Sequence, residues 1–314
     1  MTERRTGDDT ARQILGGVEL RAADGVILAT LALFSLLAVG FRAGVPGWLL
    51  LVGKNAAVAV AVLVAAAVVP RVRLPVLAFF LRTATVSLSY AYLFGAVDSL
   101  QLILHGRFLD DFVLRFEAWL FGVQPTLWLE RFVTPSLTEW MMFCYVVYVP
   151  LYPVLCAVVW VRRGRAAAEE YFLALGLANV LCDAGFILFP VASPMYWMPD
   201  RFHVPLDGWV FTWVAELIRT RTHFAGGSLP SPHAAAATVM WVMAWRYHRP
   251  TFWLLSPVIL SLYVSTFYGR FHYVTDAVFG IATAGLAVVL TPLAQRAWDR
   301  LAGAGPDPSA ECRT

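Results

Sequence analysis

Charged side chains are scarce in this sequence of 314 residues. Asp, Glu, Lys and Arg together make up 14% of it, against about 25% in an ordinary soluble domain. Hydrophobic residues make up 59%, and the mean hydropathy is +0.66. This balance excludes a disordered chain, most soluble enzymes and a basic nucleic-acid-binding protein, so no nucleic-acid partner is expected. It indicates an integral membrane protein.

Lysine is almost missing, since Lys54 is the single lysine among 24 basic residues. Ala, Val and Arg are abundant instead, a bias typical of GC-rich bacterial coding sequences, and we therefore expect a bacterial cell membrane as the location. Cysteine is also rare. Cys144, Cys156, Cys182 and Cys312 form no CxxC pair, so we expect neither a zinc site nor a disulfide framework.

Eight apolar runs approach the length of about 20 residues that a helix needs to cross the hydrocarbon core. They cover residues 25–41, 48–69, 75–97, 138–161, 168–190, 232–248, 251–268 and 274–295. The polar stretch before the first run is too long and too acidic for a cleaved signal peptide, so that run is expected to stay in the membrane. The pattern predicts an all-α, polytopic membrane protein with about eight transmembrane helices.

The basic residues predict the orientation. One set of alternate loops, with both termini, holds 14 arginines, and the other set holds 8 although it contains the two longest loops. By the positive-inside rule the first set is cytoplasmic. Both termini are therefore expected inside, and the two long segments, 98–137 and 191–231, are expected outside. The first of these is amphipathic in part and is expected in the membrane interface.

Two outward segments contain most of the residues that could take part in catalysis. GGSLPSPH ends at His233 and leads into the sixth run, and YGRFHYVTD holds His272 and Asp276 and leads into the eighth. The spacing of His272 and Asp276 places them on one face of a helix. An Asp on one ring nitrogen fixes the tautomer and leaves the other nitrogen as a nucleophile, and His233 is able to protonate a leaving group.

An anion site is expected beside these histidines. Ser228, Ser231 and the backbone N–H groups before a helix are suited to a phosphate, and Arg270 adds a cation. Two imidazoles, a carboxylate and an anion cradle fit phosphoryl transfer through a phosphohistidine, with no metal or cofactor needed. A metal site built from the two histidines and the Asp is the weaker alternative.

Other interpretations stay open for single residues. A histidine near a membrane interface is usually structural, and we keep that interpretation for His105, His203, His223 and His248. The proline-rich stretch before the sixth run could be only a turn. Each element alone favours the structural interpretation, whereas together they favour a site.

Three charges lie within predicted spans and are functional candidates for that reason. Asp183 is expected about 10 Å below the outward end of its helix, where it would bind acceptor hydroxyls or pair with Arg82. Lys54 and Arg82 are further candidates for acceptor or headgroup binding. The same three charges would line the pathway of a transporter, a different class of function, although no pair of interrupted spans is evident.

At these residues the sequence resembles the membrane branch of the type 2 phosphatidic acid phosphatase and vanadium haloperoxidase superfamily. Pro230-Ser231-Pro232-His233 is similar to its Pro-Ser-Gly-His motif, and Ser265-Thr266 with His272 and Asp276 is similar to its Ser-Arg-x5-His-x3-Asp motif. The Lys-x6-Arg-Pro motif is missing. Pro232 stands in place of the Gly in the first motif, and Thr266 stands in place of the Arg in the second. These departures, together with the stretch FPVASP from Phe189 to Pro194, resemble the subgroup that contains inositol phosphorylceramide synthase.

The resemblance implies roles for the residues. His272 would attack phosphorus, Asp276 would orient it, His233 would act as acid and then as base, and Ser231 would hold the phosphate. Arg270 is the expected substitute for the cations of the missing motif that would bind the phosphate, and Ser228 is a further phosphate-binding candidate. Membrane lipids are the implied substrates. A polyol such as inositol is the implied acceptor, and hydrolysis of a lipid phosphate or polyprenyl pyrophosphate is the alternative.

The resemblance also implies a division of the chain. A six-helix catalytic core is expected over residues 75–298, preceded by two additional transmembrane helices over 25–74. Residues 1–24 are expected as a cytoplasmic segment, and 299–314 as a disordered cytoplasmic tail.

Overall fold

The computed structural model describes residues 12–15, 18–222 and 224–302. Over these residues the chain is a bundle of α-helices preceded by a short antiparallel β pair. The elements in chain order are β1 Arg12–Leu15, β2 Val18–Leu20, α1 Ala22–Gly40, α2 Trp48–Val68, α3 Pro75–Ala96, α4 Asp110–Phe121, α5 Pro125–Trp128, α6 Pro135–Arg163, α7 Arg165–Leu188, α8 Pro194–Trp197, α9 Val210–Thr222, α10 Pro232–Tyr247, α11 Arg249–Tyr268 and α12 Val274–Leu301.

The all-α membrane architecture is confirmed. Seven of the described helices are long and apolar enough to cross a membrane, and they are α1, α2, α3, α6, α7, α11 and α12. Each lies within one helical turn of a predicted run, except that α12 continues to Leu301. The chain is therefore a multi-pass membrane protein.

The sixth predicted run, residues 232–248, forms α10, which has 16 residues and is not among the seven described helices that are long enough to cross a membrane on their own. At about 1.5 Å per residue it is about 24 Å long, which is shorter than the ~30 Å hydrocarbon core. The helix begins at Pro232, where the Ser231 hydroxyl accepts a hydrogen bond from Ala234 N. It ends at Tyr247, and a single residue, His248, separates it from α11.

Helix α10 is the centre of the bundle. Four consecutive small residues, Ala234 to Ala237, are fully or almost fully buried, which allows close approach by neighbouring helices. Helices α6, α7, α11 and α12 pack around it. Gly280 of α12 lies against the Ser231 carbonyl, so that a Cβ at this position would collide with it. The N-termini of α10 and α12 are therefore held side by side.

The N-terminal helices α1 and α2 pack on α3 and α7. A buried charge cluster joins them to the rest of the bundle. The Arg82 guanidinium pairs with Asp24 of α1 and binds both carboxylate oxygens of Glu169 in α7 at 3.0 and 2.7 Å, and Arg21 lies 3.5 Å from the same carboxylate. Of the two alternatives for Asp183, the pairing with Arg82 is therefore not formed.

Helix α4 turns its polar side inward. Asp110 and Glu117 are both 0% exposed, whereas Trp119 is 78% exposed. The amphipathic pattern that indicated an interfacial helix is present, but the two acids face the bundle and the aromatic residues face outward. The helix therefore brings two carboxylates to the N-terminus of α12.

Two boundaries differ from the sequence prediction. The β1–β2 pair was not predicted, and α1 begins at Ala22, so Asp24 belongs to the first helix and not to the segment before it. The expected tail begins inside α12, which ends at Leu301. Most of that tail lies outside the described residues, as does most of the expected cytoplasmic segment 1–24.

Candidate active site

His233 and His272 come together although 39 positions separate them. His233 lies in the first turn of α10, and His272 lies two residues before α12 begins. Since the two helix starts are adjacent, His272 Nε2 lies 3.4 Å from His233 Nδ1. The two imidazoles form one site at one end of the bundle.

Asp276 is placed on the opposite side of the His272 ring. Its Oδ2 lies 3.6 Å from His272 Nδ1 and accepts hydrogen bonds from Tyr273 N at 2.8 Å and Ser228 Oγ at 2.6 Å. The expectation that His272 and Asp276 share a helix face is wrong, because α12 begins at Val274. The loop residue Tyr273 and the Ser228 hydroxyl bring the pair together instead.

The hydrogen bonds of His272 determine its tautomer. Nδ1 lies 3.0 Å from the Ser228 carbonyl oxygen, which can only accept, and 3.1 Å from Ser228 Oγ, which donates to Asp276. Nδ1 therefore carries the proton. In the neutral ring this leaves a lone pair on Nε2, which points toward His233 and not toward the carboxylate.

His233 is held between aromatic rings. The Tyr145 ring is stacked on it with centroids 4.5 Å apart, and Phe271 is stacked on the other side of Tyr145 at 4.3 Å. Tyr148 contacts the His233 ring at 4.9 Å. These contacts fix the ring of a residue that is half-buried, whereas His272 is buried.

Asp110 and Glu117 support the loop and helix start that carry His272 and Asp276. Asp110 accepts hydrogen bonds from the Tyr273 hydroxyl at 2.9 Å and from Ala192 N at 2.8 Å. Glu117 Oε1 accepts from Thr275 N at 2.8 Å and from the Thr275 hydroxyl at 3.0 Å. Burial raises the pKa of Asp110 to about 6 and that of Glu117 to about 7, and nearby Asp276 adds to both shifts.

The structure gives the three phosphate-binding candidates other contacts. The Ser228 hydroxyl belongs to the His272–Asp276 pair. Ser231 is fully buried, its hydroxyl caps α10 and its N–H donates to the Asp276 carbonyl at 2.9 Å. Arg270 lies 3.1 Å from Glu130 Oε1, donates to the Val204 carbonyl and covers the Phe202 ring. Arg270 therefore joins the segments that carry Glu130 and Val204.

The three intramembrane charges do not meet. Lys54 is exposed on α2, and Arg82 belongs to the cluster with Asp24 and Glu169. Asp183 is buried in α7, and within the described part of the chain its Oδ2 has no hydrogen-bond partner. They do not line a common pathway, so the arrangement on which the transporter alternative depended is not formed.

A cavity of about 510 Å³ lies next to the histidine loop. Its lining combines apolar rings with charged groups, including Phe271, Arg270, Trp209, Trp213, Glu216 and Arg219. Phe271 in its wall is stacked on Tyr145, and Tyr145 is stacked on His233. The volume is within the usual range for sites of small molecules, about 300–1,000 Å³.

Glu139 of α6 holds α9 over this cavity. Its carboxylate accepts hydrogen bonds from the backbone N–H groups of Trp209, Phe211 and Thr212 at 2.7, 2.6 and 3.1 Å. These are unpaired donors at the start of a helix, so a carboxylate there is stabilising. Met142, one turn further along α6, lines the cavity, and Tyr145, one turn further again, contacts His233.

A common metal site for His233, His272 and Asp276 is not formed. The carboxylate lies on the Nδ1 side of His272 and His233 lies on the Nε2 side, so the three side chains do not converge. Over residues 12–15, 18–222 and 224–302, no group of three or more His, Cys, Asp or Glu side chains is placed to hold a metal ion.

The fold and the paired histidines define a multi-pass membrane protein with a cluster of two histidines and an aspartate at one end of its helix bundle. Comparison with protein families supplies the more specific result. The PAP2 superfamily matches residues 111–290, and the chain belongs to that superfamily. Its members are phosphatases and phosphotransferases, which supports an enzyme of this type. No curated protein and no solved structure matches the sequence.

Sequence reasoning did not identify Asp110 and Glu117. Their signal was the spacing of seven residues, which places both acids on one face of α4, opposite Phe112 and Trp119. In a membrane protein an amphipathic helix also turns its acids inward where they meet a buried helix start. The aromatic contacts of Tyr145 with His233 depend on α6 packing against α10, which no local pattern specifies.

Proposed function

We propose that this protein is a membrane lipid phosphotransferase that forms a phosphohistidine on His272 Nε2. The observation that carries the proposal is the orientation of the two rings. His272 presents an unprotonated nitrogen 3.4 Å from the second imidazole, and its other nitrogen is fixed by Ser228 and Asp276. A nucleophile, its orienting groups and an adjacent acid are the parts that covalent catalysis needs.

The first step transfers the phosphoryl group to the enzyme. The lone pair on Nε2 attacks phosphorus, the bond to the leaving oxygen breaks, and that oxygen takes a proton from protonated His233. The Nδ1 proton of His272 stays hydrogen-bonded to Ser228, and the Asp276 carboxylate stabilises the positive charge that develops on the ring. Since 3.4 Å leaves no room for a phosphoryl group, the two rings must separate when substrate binds.

The second step returns His233 to its protonated state. Neutral His233 takes a proton from the acceptor hydroxyl, the acceptor oxygen attacks phosphorus, and the bond between phosphorus and Nε2 breaks. The same geometry serves water or an alcohol. The chemistry of the acceptor therefore depends on what the neighbouring cavity binds.

The cavity beside the histidine loop favours a polyol acceptor such as inositol. Asp207 and Glu216 can accept hydrogen bonds from hydroxyl groups, Arg219 can donate, and Trp209 and Trp213 offer apolar faces. Glu216 already pairs with Arg219, and Glu130 pairs with Arg270, which suits a neutral ligand better than an anion. Hydrolysis is the second candidate, because half-buried His233 is accessible to water. We place this site at the outer face of the membrane, with both termini inside, as the distribution of arginines predicts.

A product assay with the purified full-length protein tests the proposal. Phosphatidic acid, a polyprenyl pyrophosphate and common phospholipids are supplied with and without inositol, in the presence of EDTA. We expect turnover in the wild type, loss in His272→Ala and near-normal turnover in His105→Ala, whose ring lies on the Leu188 carbonyl. An inositol-dependent lipid product indicates the transferase, and free phosphate indicates the phosphatase. Activity that EDTA abolishes and a divalent ion restores would overturn the metal-free mechanism.

A further inference from the structure

A second cavity, of about 300 Å³, lies at the other end of the bundle from the histidines. It is bounded by the loop between α2 and α3 and by the first turns of α3 and α7. Glu169 in its wall and Gly185, which packs on Leu229 and Pro230, are both in α7, and the 16 positions between them span about 24 Å of helix. The second cavity is therefore separate from the catalytic site.

Its walls are aromatic and apolar. Phe79 and Trp160 are stacked with centroids 4.5 Å apart and planes 15° apart. The Phe172 ring lies beneath the Arg82 guanidinium, 5.9 Å from it, and Pro70 contributes from the loop. Such a surface suits hydrocarbon or a glycerol backbone, not a freely hydrated ion.

The charges of the cavity are unbalanced. Arg82 is neutralised by Asp24 and by both oxygens of Glu169. Arg165 lines the same cavity and lies near Glu169 without an ion pair to it. Arg71, Arg73, Arg162 and Arg163 are near these residues in the sequence, and Glu19 shares a small adjoining pocket with Arg165. An anion is therefore attracted to this end of the bundle, and Arg165 is placed to bind it.

The cavity also lies at the boundary between two parts of the chain. The PAP2 superfamily match covers residues 111–290 and so includes Trp160, Arg165 and Glu169. Pro70, Phe79 and Arg82, which also line the cavity, precede it. A ligand that contacts both groups of residues links the N-terminal helices to the family region, beside the ion pairs that already join them.

We propose that this cavity binds the phosphate headgroup of an anionic phospholipid from the surrounding bilayer, with Arg165 as the main ligand. Phe79 and Trp160 would contact the glycerol and the first acyl carbons. Basic pockets between helices at the headgroup level are where anionic lipids bind to membrane proteins. A lipid bound there stabilises the contact between the N-terminal helices and the family region. This binding is independent of the lipid on which the histidines act.

Native mass spectrometry of the full-length protein with phosphatidylglycerol or phosphatidylcholine tests this site. We expect the wild type to retain phosphatidylglycerol in preference to phosphatidylcholine, and we expect Arg165→Gln to weaken that retention about tenfold, as for loss of a hydrogen bond to a charged group. Arg162→Gln is the matched control, because Arg162 is exposed and does not line the cavity. Equal retention in Arg165→Gln and Arg162→Gln would overturn the proposal.

Thermal unfolding separates the lipid from a free anion. Phosphatidylglycerol should raise the Tm of the wild type and of Arg162→Gln but not that of Arg165→Gln, because a ligand that binds only the folded state stabilises it. Inorganic phosphate at equal concentration should leave the Tm unchanged. A rise with inorganic phosphate alone, or an equal rise in all three proteins with the lipid, would contradict binding of a lipid headgroup by Arg165.

Discussion

The Ser228 hydroxyl donates a 2.6 Å hydrogen bond to Asp276 Oδ2, and its oxygen lies 3.1 Å from His272 Nδ1. Ser228 thus joins the carboxylate to the imidazole from a loop that lies far away in sequence. This contact changes the expected role of the glycine-rich segment. Its serine contacts the Nδ1 side of His272, the nucleophile in our proposal, instead of facing a phosphate.

The Ser228→Ala variant tests this role. Loss of a hydrogen bond to a charged group costs about 1.5–3 kcal/mol, so kcat should fall about 10–100-fold while KM for the lipid changes little. Ser228→Thr keeps the hydroxyl and should recover part of the rate. If Ser228→Ala raised KM and left kcat unchanged, Ser228 would be a substrate ligand, as the sequence suggested.

The contact between α12 and α10 offers a test of the site's rigidity. A Cβ at Gly280 would collide with the Ser231 carbonyl, so Gly280→Ala must push apart the two helix starts that carry the histidines. We expect a loss of about 1–3 kcal/mol in stability and a large loss of activity. Gly285→Ala is the matched control, since nothing lies within 4 Å of its Cβ. If Gly285→Ala were destabilised as much as Gly280→Ala, the collision at Gly280 would not be the cause.

Glu117 should make the protein less stable as the pH rises. Burial raises its pKa from 4.5 to about 7 in the folded state, so between these values the folded state binds more protons than the unfolded state. Stability from this group is therefore highest below about pH 4.5 and falls as the pH rises to about 7. In Glu117→Gln the fall in Tm over this range, measured in detergent, should be smaller.

A second glutamate provides the control for this pH dependence. Glu216 is exposed, and a hydrogen bond and charge from Arg219 lower its pKa. Its contribution to stability is lost on acidification, which is the opposite sign. Glu216→Gln should therefore leave the fall in Tm above pH 5 intact. An unchanged fall in Glu117→Gln would show that other groups cause it.

A variant at Glu139 tests the proposed role of the 510 Å³ cavity in acceptor binding separately from the formation of the phosphohistidine. Glu139→Ala removes the acceptor for three backbone N–H groups at the start of α9, so α9 should loosen over the cavity. We expect KM for a polyol acceptor to rise while the rate of phosphoenzyme formation is nearly unchanged. A fall in the phosphoenzyme rate with an unchanged KM would place the effect of Glu139 on the histidines instead.

The sequence predicted the membrane helices well, because hydrocarbon demands long apolar segments with internal hydrogen bonds. It predicted the bounds of α10 to within one residue, but not that this short helix is covered by its neighbours, which approach it at Ala234 to Ala237. Motifs indicated His233, His272 and Asp276, but the loop path to His272 depends on Tyr273 and Ser228. Contacts between distant segments, such as Glu117 with Thr275, carry no local signal.

The most direct test of the account is detection of the covalent intermediate. Wild type and His272→Ala are mixed with phosphatidic acid that carries a ³²P-labelled phosphate, quenched in alkali within one turnover and digested. The account predicts a label that is stable in alkali and labile in acid, on the peptide that contains His272 and absent from the variant. A labelled product formed without any labelled wild-type peptide, or an equal label on His272→Ala, would contradict it.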